Sequence, residues 1–436
     1  MKYKSCRHLE GSLYIAPDEI RACCQRFFFN GKMRGDAELL KIKDDKNLPG
    51  YNEITKARAQ LFNDIQNNKS DQCMGCPQLS LTDKKPDFNG YINHLSIEHH
   101  SVCNLRCSYC SETYYGGKKS KYNVSEFVKK LSREKSLKNC KQVVWGGGEP
   151  TLDKTFENIV NEIEISANPK IYHRVFTNSV RYHESISKFL KNGLIKIVTS
   201  VDAGTTETFM RIRGRNKFYD VFQNLEKYSS INAKKITVKY ILTEENVAFL
   251  ELEKFVENCI KYKLIDCCFQ ISMNFKNDKL SIAFLKAIIY LMSIFKKNKI
   301  LKFFGDDHIM ARFKKLNEEE KFIIMNYINQ NKFEDLVLNN FLKTHKVSLF
   351  GINLIAENIL KKNITKSELS KITLVDSDEN KQGKFIGGIQ IVKPEILKTN
   401  NDKIFIASAQ SYDDIYEQLV SNLGVSNTRI IQGIFI

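Results

Sequence analysis

Three cysteines at spacings of four and three residues constrain this chain more than any other feature. Cys103, Cys107 and Cys110 stand in the run CNLRCSYC. Three thiolates on one short loop can hold three corners of a cubane iron–sulfur cluster and leave the fourth iron open to a further ligand. An open metal position indicates a reaction site, as it does in zinc enzymes. The spacing arises at random in roughly one such chain in a hundred, and the alternatives are a zinc knuckle or three unrelated core thiols.

Further motifs follow the cysteine run in a fixed order. They are Val143–Pro150 (VVWGGGEP), Phe176–Ser179 (FTNS), Ser200–Gly204 (SVDAG) and Arg213-Gly214. Together with the cysteine run and its aromatic Tyr109, they resemble the radical S-adenosylmethionine (SAM) superfamily. The glycine run resembles that family's second strand, and the next two motifs resemble its third and fourth strand ends. The resemblance covers roughly residues 91–305, about half of the chain.

The resemblance implies a cofactor and a reaction. Cys103, Cys107 and Cys110 are expected to hold a 4Fe-4S cluster whose free iron chelates SAM. One electron, supplied by a reductant such as a flavodoxin or ferredoxin, then breaks the C5′–S bond and gives a 5′-deoxyadenosyl radical. That radical abstracts hydrogen from a substrate. The cofactor supplies the difficult chemistry, and the protein supplies placement.

The same resemblance implies which side chains contact SAM. Tyr109 is expected to pack against the adenine, the glycines to approach the methionine amino group, and Arg213 to pair with the carboxylate. The full expected set is Tyr109, Gly146, Gly147, Gly148, Glu149, Asn178, Ser200, Asp202 and Arg213. Ordinary alternatives exist for each, such as a tight turn for the glycines and helix capping for the small polar residues. No catalytic residue is assigned beyond the cluster ligands.

A second group of cysteines precedes the motifs, namely Cys6, Cys23, Cys24, Cys73 and Cys76. The run Cys73-Met-Gly-Cys76-Pro77 is typical of a metal knuckle. It is also similar to part of the auxiliary-cluster module called SPASM or twitch, although that module usually follows the barrel. Cys6, one of Cys23 and Cys24, Cys73 and Cys76 would complete a four-thiolate site. An auxiliary iron–sulfur cluster is the expectation, with zinc or no metal as alternatives.

The pattern of strands and helices predicts an α/β fold with a partial (β/α)6 radical SAM barrel. Six strands are predicted, at Ile92–Glu98, Gln142–Trp145, Ile171–Thr177, Ile195–Val201, Lys235–Leu242 and Cys268–Met273. Alternation of strands with helical patterns such as Val124–Lys138 and Asp153–Ser166 indicates parallel pairing. The expected regions are a cysteine-rich metal-binding region (1–90), the barrel (91–305), a helical linker (306–345) and a small Rossmann-like α/β domain (346–436). Within the first region a helix is predicted from about Asp36 to Lys69, with Pro49-Gly50 as a turn or break in it. The chemistry is expected at the carboxyl ends of the strands.

The last region resembles the small Rossmann-like domain of sugar-nucleotide-modifying enzymes. Asp376 follows a predicted strand, where an acidic residue would meet a ribose hydroxyl. Gly351 is the only glycine of the preceding loop, where three small residues are expected. Nucleotide binding, substrate presentation or interaction, and a purely structural role all stay open for this domain.

Composition excludes some classes of function. The net charge is +17, but the basic residues are dispersed and no basic stripe with interleaved aromatics occurs, which disfavours a nucleic-acid partner. The most apolar stretch, Leu280–Phe295, contains Lys286 and is too short to span a membrane. Twelve cysteines without a secretion signal indicate metal or redox chemistry in the cytoplasm. Cys140, Cys259, Cys267 and Cys268 are predicted to be buried thiols.

Three functions from different classes remain. The first is a radical SAM enzyme acting on a sugar, a sugar nucleotide or a surface-glycan precursor, as the C-terminal resemblance favours. The second is a radical SAM enzyme that matures a peptide or protein, as the auxiliary-cluster cysteines favour. The third is a non-catalytic iron–sulfur or zinc protein.

Overall fold

The computed structural model describes residues 2–88, 91–110, 116–167, 171–274, 281–313, 316–361, 364–409 and 411–434. The chain divides into two compact units, residues 1–199 and 200–436. The division of the sequence into four regions stays a prediction beside this division into two.

The first unit contains eleven strands among its described residues. They are Tyr3–Ser5 (β1), Ser12–Ile15 (β2), Glu19–Arg21 (β3), Arg26–Phe29 (β4), Lys32–Gly35 (β5), Glu38–Lys41 (β6), Ser80–Thr82 (β7), His94–Ile97 (β8), Gln142–Trp145 (β9), Tyr172–Phe176 (β10) and Ile195–Ser200 (β11), whose last residue opens the second unit. The α-helices are Arg7–Gly11, Tyr51–Gln66, Val124–Arg133, Phe156–Ser166 and Glu184–Lys191.

The main sheet of this unit is largely parallel. Strands β2, β8, β9, β10 and β11 are parallel neighbours, and β3 and β6 extend the β2 edge in antiparallel pairing. Trp145 aligns with Ile97 of β8 and with Val175 of β10, and all three side chains are buried. The registry brings the carboxyl ends of β8, β9 and β10 to one edge. Those ends carry the cysteine loop, the glycine run and the FTNS motif.

The predicted helix over residues 36–69 is wrong in its first half. Residues 38–41 form β6, which pairs with β3 in antiparallel register, and Lys41 lies 3.6 Å from Glu19 across that pair. The helix begins only at Tyr51, after Gly50, whose amide donates to Glu53 at 2.8 Å. Pairing with a distant strand therefore overrode local helical propensity, as tertiary context commonly does.

The second unit begins with three parallel strands, Ile236–Leu242 (β12), Cys268–Met273 (β13) and Phe303–Gly305 (β14). Its α-helices are Thr206–Arg213, Phe218–Asn232, Phe249–Lys261, Ile282–Lys297, Asp307–Phe313, Glu318–Asn331, Leu338–Thr344, Leu354–Lys361, Lys366–Leu369 and Tyr412–Glu417. All six strands predicted for the barrel are present, with ends within two residues of the predicted ones.

The C-terminal region of this unit has its own sheet. Its strands are Val347–Phe350 (β15), Ile372–Val375 (β16), Phe385–Ile386 (β17), Ile389–Val392 (β18), Lys403–Ile406 (β19) and Ile430–Ile431 (β20). They run in the order β17-β18-β16-β15-β19-β20, parallel except for the β17 edge. Without β17, the order is 3-2-1-4-5, which is that of a doubly wound sheet. The expected C-terminal α/β domain is therefore present.

Two predictions about apolar segments can be compared with the structure. The helix Ile282–Lys297 is largely buried, as predicted for this stretch, although Leu280 lies outside the described residues. No helix among the described residues has both the length and the apolar character needed to cross a membrane. The four thiols predicted to be buried are so, each with no exposed surface.

Candidate functional site

The cysteine loop follows β8 and carries three free thiols. Cys103 is exposed, while Cys107 and Cys110 are half-buried. The amide of Leu105 donates to Cys103 Sγ at 3.5 Å, and the Cys110 amide donates to the Cys107 carbonyl at 3.0 Å. Burial raises the pKa of Cys103, against the bonds from Leu105 and Asn178 that lower it. Tyr109 is half-buried within the same loop.

The glycine run lies against the chain that leads into the cysteine loop. The amide of Gly148 donates to the His100 carbonyl at 3.0 Å, and that of Glu149 donates to the Val102 carbonyl at 2.8 Å. A Cβ on Gly148 would lie 2.1 Å from the Val102 carbonyl oxygen. Gly147 has a φ of +88°, and a Cβ there would lie 2.5 Å from the His100 carbonyl oxygen. Only glycine fits this close approach.

Glu149 joins three segments at this edge of the sheet. Its Oε1 accepts from Thr177 Oγ1 at 2.9 Å and from both the hydroxyl and the amide of Thr151, at 2.7 and 3.2 Å. Its Oε2 accepts from the Asn178 amide at 2.6 Å. Burial raises the pKa of this carboxyl, while these hydrogen bonds lower it. Oε2 accepts one hydrogen bond from the described residues. A carboxylate oxygen can accept more than one, so Oε2 can also accept from a cationic group.

Asn178 connects the end of β10 to the cysteine loop. Its Nδ2 donates to Asn104 Oδ1 at 2.6 Å and lies 3.6 Å from Cys103 Sγ. Its Oδ1 accepts from the Val180 amide at 3.0 Å, which fixes the orientation of the side chain. An amide N–H directed at a cysteine sulfur stabilises the thiolate form, which is the form that binds a metal.

The remaining predicted contacts lie in the second unit. Ser200 is half-buried at the end of β11. Asp202 is fully buried at φ +64°; its Oδ2 pairs with Arg213 at 2.8 Å, and its Oδ1 accepts from the Ile241 amide at 2.7 Å. The structure thus joins Asp202 and Arg213 to each other in a buried ion pair, and their contacts with SAM stay predictions.

The N-terminal cysteines separate into a group of four and a single one. Cys6, Cys23 and Cys73 pack against one apolar cluster that includes Leu9 and Phe62. Burial, together with the nearby thiols of Cys23, Cys76 and Cys6, raises the pKa of Cys73 to about 11 against a hydrogen bond with Ser70 that lowers it.

Cys24 has different neighbours. Burial raises its pKa to about 12, and the next contribution comes from Glu98, ahead of Cys23. Cys24 is exposed.

Glu98 and Tyr14 were missed by the sequence analysis. Tyr14 Oη donates to Glu98 Oε2 at 2.7 Å, across the pairing of β2 with β8. Burial raises the pKa of both groups. A Cβ on Gly146 would lie 3.0 Å from Glu98 Oε1, so this carboxyl borders the glycine run. The only signal in the sequence was an acidic residue at the end of a predicted strand, and its partner lies on a strand that was not predicted.

The matching protein families fall on both units. Residues 97–256 match the Radical SAM superfamily. Residues 97–256 therefore carry a radical SAM domain. Members of that superfamily use a 4Fe-4S cluster held by three cysteines, together with SAM. The described thiols of Cys103, Cys107 and Cys110 fit that group, because they form no disulfide, share one loop and receive N–H groups at Cys103. Residues 343–431 match a second family, described as C2185-like, N-terminal.

Known proteins are similar to part of this chain. The GTP 3',8-cyclase of Haemophilus ducreyi is 30% identical over 194 residues, or 44% of this chain and 56% of that protein. The GTP 3',8-cyclase of Yersinia pestis is 32% identical over 158 residues, or 36% of this chain and 47% of that protein. The chain spans about half the length of the curated relatives it matches. Streptococcus suis SuiB bound to its precursor peptide SuiA has a TM-score of 0.42 at 16% identity, covering 61% of this chain and 66% of that one.

Proposed function

We propose that this chain is a radical SAM enzyme that cleaves SAM reductively and uses the resulting radical to abstract hydrogen from a substrate. The observation that carries the proposal is the junction at Asn178. The side chain of Asn178 contacts the Cys103 sulfur, and the backbone amide of the same residue donates to the Glu149 carboxylate. The predicted cluster loop and the ends of two strands that carry predicted SAM contacts are therefore held as one assembly.

The residues of the chain have distinct tasks in this proposal. Cys103, Cys107 and Cys110 hold the 4Fe-4S cluster, which when bound supplies the electron that breaks the carbon–sulfur bond of SAM. The backbone N–H of Leu105 and the side-chain amide of Asn178 stabilise the negative charge on the Cys103 sulfur. Glu149 holds the end of β10 in place through its hydrogen bonds to Thr177 and Asn178. Its Oε2 would accept a further hydrogen bond from the ammonium group of the methionine part of SAM. An external one-electron reductant, such as a flavodoxin or ferredoxin, completes the system.

The group of Cys6, Cys23, Cys73 and Cys76 is proposed to hold an auxiliary iron–sulfur cluster. Cys6, Cys23 and Cys73 pack against the same apolar cluster, and the thiols of Cys23, Cys76 and Cys6 all raise the pKa of Cys73. These contacts support one shared site for the four thiols. A single zinc ion is the alternative occupant of that site.

The proposed substrate is a sugar, a sugar nucleotide or a related glycan precursor. The doubly wound strand order of the C-terminal sheet supports this assignment. Asp376 itself is engaged within the domain: it accepts from the Ile352 amide at 2.8 Å and from Lys381 at 3.0 Å. We therefore expect this domain to bind the sugar portion or to present the substrate, and not to grip a ribose through Asp376.

Maturation of a peptide is the second candidate. The thiol group of the N-terminal region favours it, because auxiliary clusters of the SPASM or twitch type accompany that chemistry in the family that the sequence resembles. The two candidates differ in what the protein retains on purification. A nucleotide sugar found by mass spectrometry supports the first, and a bound peptide supports the second.

Formation of 5′-deoxyadenosine tests the proposed reaction. The protein is reconstituted with iron and sulfide without oxygen, reduced, and given SAM, with Cys107→Ala in parallel. Product from the wild type alone supports the proposal. If a reducible cluster is present and no product forms, binding of SAM to the reduced cluster separates an enzyme gated by its substrate from a non-catalytic iron–sulfur protein.

A further inference from the structure

His99, His100 and Asp153 form a compact group immediately before the cysteine loop. One ligand atom from each lies within 4.8 Å of the others. His99 Nε2 and Asp153 Oδ2 are 2.7 Å apart, and the two imidazole rings lie edge to face with centroids 4.8 Å apart. Both histidines are about nine-tenths buried, with 8% of their surface exposed. None of the three residues belongs to the predicted cluster or SAM contacts.

Three ring nitrogens of this group lack a hydrogen-bond partner within the described part of the chain. They are His99 Nδ1 and both nitrogens of His100. The Val102 backbone influences the pKa of His100 but lies outside hydrogen-bonding geometry. A buried polar atom without a partner costs on the order of 1–3 kcal/mol. A cation bound to one nitrogen of His100 would remove part of that cost.

The protonation states and the surroundings suit a cation. Burial lowers the pKa of His100 to about 4, so its imidazole is neutral at neutral pH. Although burial opposes it, hydrogen bonds from His99 and Thr155 hold the pKa of Asp153 at about 2. Asp153 Oδ1 accepts from the Thr155 amide at 2.8 Å, and the Thr155 hydroxyl lies 2.8 Å from both Oδ1 and Oδ2, which fixes the carboxylate with Oδ2 also beside His99 Nε2. Such outer contacts are typical of metal ligands.

We propose that His99, His100 and Asp153 bind a first-row divalent cation, of which Zn²⁺ is the representative, with water in the fourth position. Two imidazoles and one carboxylate are a common ligand set for such ions. Bonds of about 2.0–2.1 Å place tetrahedral donors about 3.3 Å apart, so the His99–Asp153 contact opens by roughly half an ångström as the ion enters.

The position of the site defines its role. His100 lies three residues before Cys103, and its carbonyl accepts from the Gly148 amide at 3.0 Å. Asp153 lies four residues after Glu149. A bound ion would therefore fasten the chain entering the cysteine loop to the segment leaving the glycine run. The ion would hold these two segments in position relative to each other.

Zinc content tests the proposal directly. Cluster-loaded protein is dialysed against Zn²⁺ and then against metal-free buffer, and zinc is measured by mass spectrometry in the wild type, His100→Ala and Asp153→Asn. His345→Ala removes an exposed histidine of the other unit and is the matched control. We expect about one zinc per chain in the wild type and the control, and at least a tenfold lower content in the two site variants. Equal zinc in all four proteins, or none in the wild type, would overturn the proposal.

A second measurement does not depend on whether the variants fold. X-ray absorption at the zinc edge gives the ligand atoms and their distances in the wild-type protein alone. The proposal predicts nitrogen and oxygen ligands at about 2.0–2.1 Å, whereas zinc on a stray cysteine site shows sulfur at about 2.3 Å. Sulfur ligands would contradict the proposal. Neither readout depends on SAM cleavage, so this inference and the proposed function can fail separately.

Discussion

The two groups of cysteines in the first unit have opposite surroundings. The loop thiols, Cys103, Cys107 and Cys110, lie within eight residues of sequence, and Cys103 is exposed beside polar amides. Cys6, Cys23 and the pair Cys73 and Cys76 come from three segments, and three of the four thiols pack against apolar side chains. Four thiolates complete the coordination of a cluster, while three leave one iron open. The difference supports the proposal of a reactive site in the loop and a closed site near the N-terminus.

The largest expected effect distinguishes these two sites by activity. Cys107→Ala removes one of only three ligands at the proposed reaction site, so 5′-deoxyadenosine formation should fall by on the order of a thousandfold, about 4 kcal/mol in the barrier. Cys73→Ala should leave cleavage of SAM within about tenfold of the wild type, because the closed site does not touch SAM. Chromatography of the reduced reaction measures both. An equal loss in the two variants would mean that the groups are not functionally distinct.

The second prediction concerns the membership of the closed site. Cys23→Ser should lower the iron content of the reconstituted protein by about half, since it removes a ligand of one of two proposed clusters. Cys24→Ser is the matched control, because Glu98 affects the pKa of Cys24 more than Cys23 does, and Cys24 is not a proposed ligand. Iron and sulfide analysis gives the answer. Loss of iron in Cys24→Ser but not in Cys23→Ser would exchange the two assignments.

The contrast also shows how far the sequence could lead. The loop motifs are local in sequence, so their spacing and order indicated the family and the strands that carry them. The choice between Cys23 and Cys24 depends on which neighbour each side chain meets across the fold, and spacing holds no such information. The same limit applies to Glu98, whose partner Tyr14 lies 84 residues away on β2. Residues 38–41 were expected in a helix. The prediction was wrong because they pair with β3, and a pairing between separate segments is not visible in the local sequence.

The glycine run illustrates a different limit. Its sequence indicated a close backbone approach, and the structure shows that the approach is to the chain before the cysteine loop, at the carbonyls of His100 and Val102. A glycine pattern indicates that there is no room for a side chain, but it does not show which neighbouring group occupies the space. For the same reason, the four hydrogen bonds of Glu149 could not be read from its position after the glycines.

A smaller effect concerns the pH dependence of the closed site. His8 lies two residues after Cys6, and burial lowers its pKa to about 4. The unfolded chain therefore takes up a proton near pH 6.5 while the folded chain does not. Stability should be full above pH 6.5 and fall as the pH drops towards 4, by about 2 kcal/mol after allowance for partial exposure. His8→Gln should flatten that interval in urea unfolding curves. An unchanged slope would show that His8 does not contribute to it.

The smallest effect concerns the hydrogen bond between Tyr14 and Glu98, whose carboxyl group acts on Cys24, a thiol outside both groups. Tyr14→Phe removes the hydroxyl that donates to Glu98 Oε2 at 2.7 Å and leaves a buried acceptor without that bond. Unfolding should become easier by about 1–2 kcal/mol. Tyr122→Phe removes another buried tyrosine hydroxyl, one that donates to the Ala16 carbonyl at 2.9 Å, and it gives the comparable cost away from Glu98. If Glu98 also contacts the substrate, Tyr14→Phe will change product formation more than Tyr122→Phe at equal stability. Equal effects on both measurements would restrict Glu98 to a structural role.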